Sequence, residues 1–173
     1  MTNFKEGLKN IRAFAFDVDG VLSSPQILVH PGGELMRTMS TKDGYALQHT
    51  VRRGYPIAII TGGRTESVKL RFNGLGITDI YLSSSYKPDD FNDFLFKYQL
   101  TPEQVLYMGD DLPDLEVMQM AGIACCPADA VEEIKAVSDY ISPRQGGMGC
   151  VRDVIEQVLR LQGRWLDGES FSW

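Results

Sequence analysis

Four short polar segments stand in a fixed order along this 173-residue chain, and three of them end an apolar run. Asp17-Val18-Asp19-Gly20 follows Ala13-Phe14-Ala15-Phe16, and Thr61-Gly62-Gly63 follows Ile57-Ala58-Ile59-Ile60. Lys87 comes third, and Gly109-Asp110-Asp111-Leu112-Pro113-Asp114 follows Val105-Leu106-Tyr107-Met108. Carboxylates, a hydroxyl and an ammonium group delivered to one edge of a parallel sheet are what magnesium-dependent phosphoryl transfer requires.

Asp17 and Asp19 lie two residues apart at a predicted strand end, so both side chains can point to one side. One of the pair can attack phosphorus and form an aspartyl phosphate. The other can protonate the leaving oxygen and later activate water. Two solvated loop acids are the blander alternative; the apolar strand before them and the tight turn at Gly20 favour the chemical one. Thr61 can offer its hydroxyl to a phosphate oxygen, with Gly62 and Gly63 letting backbone N–H groups approach closely, or it can simply cap a helix. Lys87 can offset the charge of an aspartate nucleophile and a phosphate, against the ordinary role of a surface lysine. Lys97 is the alternative cation but falls on a predicted helix.

Asp110, Asp111 and Asp114 crowd together and repel one another unless a cation neutralises them. Mg²⁺ prefers oxygen ligands, and Asp110 is the expected one. Asp111 sits either near Lys87 or at the cap of a helix starting at Leu112. Asp114 either backs the metal site or supplies a favourable charge in that helix's first turn. For the substrate, Arg144-Gln145-Gly146-Gly147-Met148-Gly149-Cys150-Val151-Arg152 is either an anion-binding loop or an ordinary glycine-rich connection. Arg64 and Arg71 lie on the helix after Thr61, and Lys42-Asp43-Gly44 precedes another helix. His30 and His49 are far from the four segments and receive no catalytic role.

The elements that must position these groups alternate strand and helix, the βαβ pattern of a parallel sheet. Strands are expected over 11–16, 57–60, 80–82, 105–108 and 123–125, with an edge candidate at 140–141. Helices are expected over 44–53, 65–75, 89–98, 112–121, 130–137 and 150–162. Gly54, Gly76 and Gly122 stand where helices should end, and Thr101 with Gln104 reads as a capping box. The alternation breaks once. Residues 26–30 and 34–40 flank His30-Pro31-Gly32-Gly33 and read as a β-hairpin at about 25–40. The expected fold is a Rossmann-like, doubly wound α/β domain over 1–163 with that hairpin after the first strand, followed by an aromatic tail over 164–173.

A net charge of −6 argues against a general nucleic-acid binder. The longest apolar run near the N-terminus is Ala13 to Phe16, too short for a signal sequence or a membrane span. Three cysteines, two of them adjacent, read as reduced thiols in a cytoplasmic protein.

With Val21-Leu22 added, FDVDGVL and the other three segments resemble the haloacid dehalogenase superfamily, most of whose members are phosphatases. The chain looks most similar to its small capless 3-deoxy-D-manno-octulosonate 8-phosphate phosphatases, through the hairpin, Asp43-Gly44-Tyr45, Leu75-Gly76-Ile77 and Gly146-Gly147-x-Gly149-x-x-Arg152. The resemblance implies Asp17 as nucleophile and Asp19 as general acid/base, with Asp17, the Asp19 carbonyl and Asp110 holding Mg²⁺. Thr61 and Lys87 complete the implied catalytic set, and Asp111 and Asp114 support it. Thr61 and Gly62 would bind phosphate, and Arg64, Arg71 and Arg152 are the candidates for the sugar carboxylate. It further implies hydrolysis of the octulosonate phosphate in lipopolysaccharide synthesis, no cap domain, a homotetramer with its hairpins gathered centrally, and a tail reaching a neighbour's site. A nonulosonate 9-phosphate is the runner-up substrate, and a non-catalytic binding protein on the same fold is the competing class. Departures from the family pattern are Gly63, where many relatives carry arginine, Ser83, where glycine is common, and Met148, where arginine or glutamate often stands.

Overall fold

The computed structural model describes residues 4–168 and 170–172. Along the chain come α1 (Phe4–Gly7), β1 (Ala13–Phe16), β2 (Leu28–Val29), β3 (Leu35–Met36), α2 (Thr41–Arg52), β4 (Ile57–Ile60) and α3 (Glu66–Asn73). There follow β5 (Asp79–Tyr81), α4 (Lys87–Tyr98), β6 (Val105–Met108), α5 (Leu115–Met120), β7 (Ile123–Cys126), α6 (Glu132–Val137), β8 (Tyr140–Ile141) and α7 (Cys150–Leu161). Six strands form one parallel sheet in the order β5-β4-β1-β6-β7-β8.

The strands are apolar throughout because both faces of the sheet are covered. Their period of two then sorts the side chains into two cores. Phe14, Phe16, Ile57, Ile59, Leu106 and Met108 pack with residues of α2, α3 and α7. Ala13, Ala15, Ala58, Ile60, Val105 and Tyr107 pack with residues of α4, α5 and α6. This is the doubly wound arrangement expected. From β1 the chain winds outward through β4 and β5, then returns to β6 and winds the other way. Such a reversal opens a crevice at the carboxyl ends of the central strands, where ligands bind.

Boundaries moved where local chemistry overrode pattern. The helix expected from Leu112 opens as a 3-10 turn over Leu112–Asp114 before α5. Helix α4 begins earlier than expected, at Lys87, with Pro88 in its first turn. Gly54 and Gly76 have positive φ after their helices, whereas Gly122 is required by closeness, since a Cβ there would lie 2.3 Å from the Glu103 carbonyl oxygen. Gln104 accepts from the Thr101 backbone N–H at 3.0 Å, as a capping box should.

The hairpin between β1 and α2 is present but short: only Leu28–Met36 and Val29–Leu35 pair, and the ribbon does not join the main sheet. All four of these residues are exposed, Leu28 by 67% and Val29 by 65%. Between β4 and α4 lie only α3 and β5, so neither insertion position holds a cap.

The C-terminal segment folds back on α2 of its own chain. Trp165 is buried against His49 and Tyr45, with ring centroids at 5.4 and 6.2 Å. Tyr45 donates to the Ser170 carbonyl and Arg52 to that of Ser172. The described tail thus lies against α2 of its own chain. Trp173 and Glu169 lie outside the described residues. His49 is a packing residue, and the three cysteines are free thiols in the core.

Candidate active site

The carboxyl ends of β1, β4 and β6 deliver Asp17, Thr61 and Asp110 to the crevice, and the first turn of α4 adds Lys87. Together with Asp19, Gly62, Gly63, Asp111 and Asp114 they line a groove of about 460 Å³, completed by Pro25, Ser84, Ser85 and Pro113. The four segments separated in sequence thus meet in one place.

Lys87 is the hub. Its Nζ lies 2.9 Å from Asp17 Oδ1 and 2.7 Å from Asp114 Oδ1, and all three side chains are nearly inaccessible to solvent. Tyr107 donates its hydroxyl to Asp114 Oδ1 at 2.6 Å, and the Asp110 backbone N–H donates to Asp114 Oδ2 at 3.1 Å. Asp114 is thereby a buried anchor with both oxygens engaged, and its place in a first turn is secondary. Burial alone would lower the Lys87 pKa, but the Asp17 and Asp114 charges more than offset this and hold it above the ordinary value. Asp17 is pushed up to about 8, by burial first and by Asp114 next, against the pull of Lys87. Asp110 is pushed up to about 7 by burial, Asp114 and Asp111.

These carboxylates carry more negative charge than Lys87 neutralises, and a divalent cation fits among them. One carboxylate oxygen from each of Asp17, Asp110 and Asp114 lies within 4.8 Å of the others. Asp114 already accepts from Lys87, Tyr107 and a backbone N–H, so Asp17 and Asp110 have the more coordination capacity left. Asp111 points elsewhere: it accepts from the Leu112 N–H at 2.8 Å, capping the 3-10 turn.

Glycines let these loops touch through their backbones. Gly20 has φ +85°, and a Cβ there would lie 1.9 Å from Asp110 Oδ2, so a side chain would dislodge that carboxylate. A Cβ on Gly146 would lie 1.9 Å from the Gly20 carbonyl oxygen, and the Gly147 N–H donates to the Val21 carbonyl at 2.8 Å. The Gly146 N–H goes to Asp129, and those of Gly149 and Arg152 go to Asp43. The glycine-rich loop is a brace for the Asp17–Asp19 loop, its amides spent on the protein itself.

Arg71 and Arg152 do not line the groove. Arg71 packs against Gly44, where a Cβ would meet its Nη2 at 2.4 Å. The Arg152 guanidinium lies 5.3 Å from the Trp165 ring centroid and pairs with Glu156 at 3.3 Å. A second groove of about 520 Å³, lined by Lys42, Arg144, Met148 and Arg152 among others, contains none of the four segments. Arg64 is exposed in the loop between Gly63 and α3, next to the groove wall. Two contributors were not anticipated. Tyr107 read as a strand residue, and only knowing which face of β6 meets Asp114 reveals its hydroxyl's task. Arg37 read as part of a hairpin, yet it forks onto Asp19, with Nε at 2.5 Å from Oδ1 and Nη2 at 3.0 Å from Oδ2. Ser83 adopts φ +57°, in the left-handed region that favours glycine.

Known proteins share this fold. Residues 45–122 match the family model for haloacid dehalogenase-like hydrolases, a stretch holding Thr61, Lys87 and Asp110. The chain is 38% identical over 156 residues to the 3-deoxy-D-manno-octulosonate 8-phosphate phosphatase of Escherichia coli K12, covering 90% of this chain and 83% of that one. The chain belongs to the haloacid dehalogenase-like hydrolases. Among solved hydrolases of this family, the Yersinia pestis 3-deoxy-D-manno-octulosonate 8-phosphate phosphatase superposes with a TM-score of 0.91 at 35% identity, covering 94% of this chain and 88% of that one. The Moraxella catarrhalis phosphatase of the same name, in complex with magnesium, phosphate and the sugar acid, gives 0.90 at 36% identity and covers 94% of each chain.

Proposed function

We propose that this hydrolase converts 3-deoxy-D-manno-octulosonate 8-phosphate to the free sugar acid and phosphate, in the cytoplasm and as a step toward lipopolysaccharide. The observation that carries the reading is the Lys87 bridge between Asp17 and Asp114, inside a groove also lined by Asp19, Thr61 and Asp110. Likeness to the magnesium- and sugar-acid-bound Moraxella protein supports the substrate. Residues 1–163 are the phosphatase domain in this reading, with 164–173 as its tail.

Asp17 attacks phosphorus, forming an aspartyl phosphate as the bond to the leaving oxygen breaks. Asp19 gives that oxygen its proton. Asp19, now a carboxylate, then takes a proton from water as the water oxygen attacks phosphorus, and Asp17 is released with inorganic phosphate. Lys87 and the Thr61 hydroxyl hold the phosphate and offset its charge. Asp17, Asp110 and the Asp19 carbonyl would hold Mg²⁺, which supplies charge stabilisation to the phosphoryl oxygens. Of the three arginines considered for the sugar carboxylate, Arg64 is the one whose position beside the groove supports the role.

Initial rates of phosphate release with Mg²⁺ test the reading, comparing octulosonate 8-phosphate, nonulosonate 9-phosphate and a hexose 6-phosphate. The first should be strongly preferred, and Asp17→Asn should lose at least about 1,000-fold in kcat while melting as the wild type does. Preference for the second would overturn the substrate alone. Release from none of them would favour a binding protein.

A further inference from the structure

A carboxyl group that must give a proton to one oxygen and later take one from a water must be held in one orientation. The terminal torsion of aspartate is broad by itself. In this molecule a residue of the hairpin fixes it. Arg37 follows β3 directly, and its guanidinium meets Asp19 through two parallel contacts, Nε to Oδ1 at 2.5 Å and Nη2 to Oδ2 at 3.0 Å. The remaining nitrogen, Nη1, donates to the Leu35 carbonyl at 3.1 Å and to Thr65 Oγ1 at 3.2 Å, so the fork is itself anchored at both ends of the site. Ser23 Oγ adds a further contact to Asp19 Oδ1 at 3.2 Å. A planar fork on a planar carboxylate sets its plane as well as its distance, which a lysine's point charge cannot do.

The Arg37 side chain is 5% exposed, against 32% for Asp19. Asp19 lines the groove and Arg37 does not. Arg37 therefore reaches the chemistry through Asp19. We propose that Arg37 is the positioning residue for the general acid/base, so that the hairpin, besides any part in assembly, holds the proton-transferring carboxyl in its working orientation. No proton leaves Arg37. Asp19 Oδ2 accepts from Nη2 alone among the described contacts, which leaves it a lone pair for the proton that passes to the leaving oxygen.

The proposal rests on Asp19 being the general acid, and leaving-group dependence separates the two claims. Cleavage of a sugar phosphate expels an alkoxide and needs that proton; cleavage of p-nitrophenyl phosphate expels a stable phenolate and does not. The kcat/KM for each substrate reports only the steps through departure of the leaving group. With Mg²⁺ present, Arg37→Ala should lower kcat/KM on the octulosonate phosphate by about 100-fold, the scale of a misplaced acid. The same variant should lower it on p-nitrophenyl phosphate by less than about threefold. Arg37→Lys, which keeps the charge and lacks the fork, should behave like the alanine variant, and its unchanged melting temperature would exclude misfolding. Equal losses on both substrates, no loss on either, or full activity in Arg37→Lys would each overturn the proposal. Asp19→Asn is run in parallel. If it shows no difference between substrates, the assignment of Asp19 itself fails; if it shows one and Arg37→Ala does not, only the positioning role fails.

Discussion

At the scale of residues, the site is a problem in charge, and its solution is geometric. Lys87 serves two carboxylates at once, Tyr107 and the Asp110 N–H also bond Asp114, and Asp17 and Asp110 are left short of positive charge. A cation bound there stabilises the folded chain by mass action, about 2.7 kcal/mol at one hundred times its Kd. For a domain of this size, that raises the melting temperature by roughly 5–10 °C. Scanning calorimetry with and without Mg²⁺ should show the rise in the wild type and its loss in Asp110→Asn. An equal rise in the variant would remove Asp110 from the ligand set. Three of the four segments were legible in sequence because each combines a reactive side chain with an apolar strand before it, and Lys87 by its place in their order. Arg37 and Tyr107 were not, because nothing in the neighbouring residues says that a hairpin arginine turns back onto Asp19 or that a strand tyrosine ends at Asp114.

At the scale of elements, α7 is fastened to α2 by one carboxylate. Asp43, in the first turn of α2, accepts from the Gly149 N–H at 3.2 Å and the Arg152 N–H at 2.7 Å, at the start of α7. Burial nonetheless dominates and pushes its pKa up to about 6. Between about pH 4 and that value the folded chain keeps a proton that the unfolded chain has lost. Stability from Asp43 is therefore full below pH 4 and declines as pH rises through about 6, by on the order of 3 kcal/mol. Urea midpoints measured across this range should fall in the wild type relative to Asp43→Asn, whose amide does not titrate. Parallel curves would show that the carboxyl titrates normally. From β1 onward the strand–helix order was legible, since β4, β6 and β8 fall where their apolar runs lie, whereas the short α1 was not expected. What period could not supply was contact: Asp43 read as a residue preceding a helix, and its bond to Gly149 spans 106 positions in sequence.

At the scale of the whole molecule, the hairpin is the exposed part that has no partner within the sheet. Its four paired residues Leu28, Val29, Leu35 and Met36 are apolar and exposed, and a lone two-stranded ribbon is marginal in water. In the homotetramer that the family resemblance implies, the hairpins would cover one another. Light scattering should give four times the monomer mass for the wild type and a smaller species for the Leu28→Lys, Val29→Glu double variant. A monomeric wild type would dismiss the assembly. The order of the main sheet carries a consequence in time. Strand β1, which leads into Asp17, lies between β4 and β6, yet it is the first strand of the chain. During synthesis its edge toward β4 is paired once Ile57–Ile60 emerges, while the other stays open until Val105–Met108 has followed. At 5–20 residues per second the gap between the two is roughly 2–10 s. The ribosome thus holds an incomplete sheet with a bare apolar edge, and the loop bearing Asp17 and Asp19 waits longer still for the glycines that brace it.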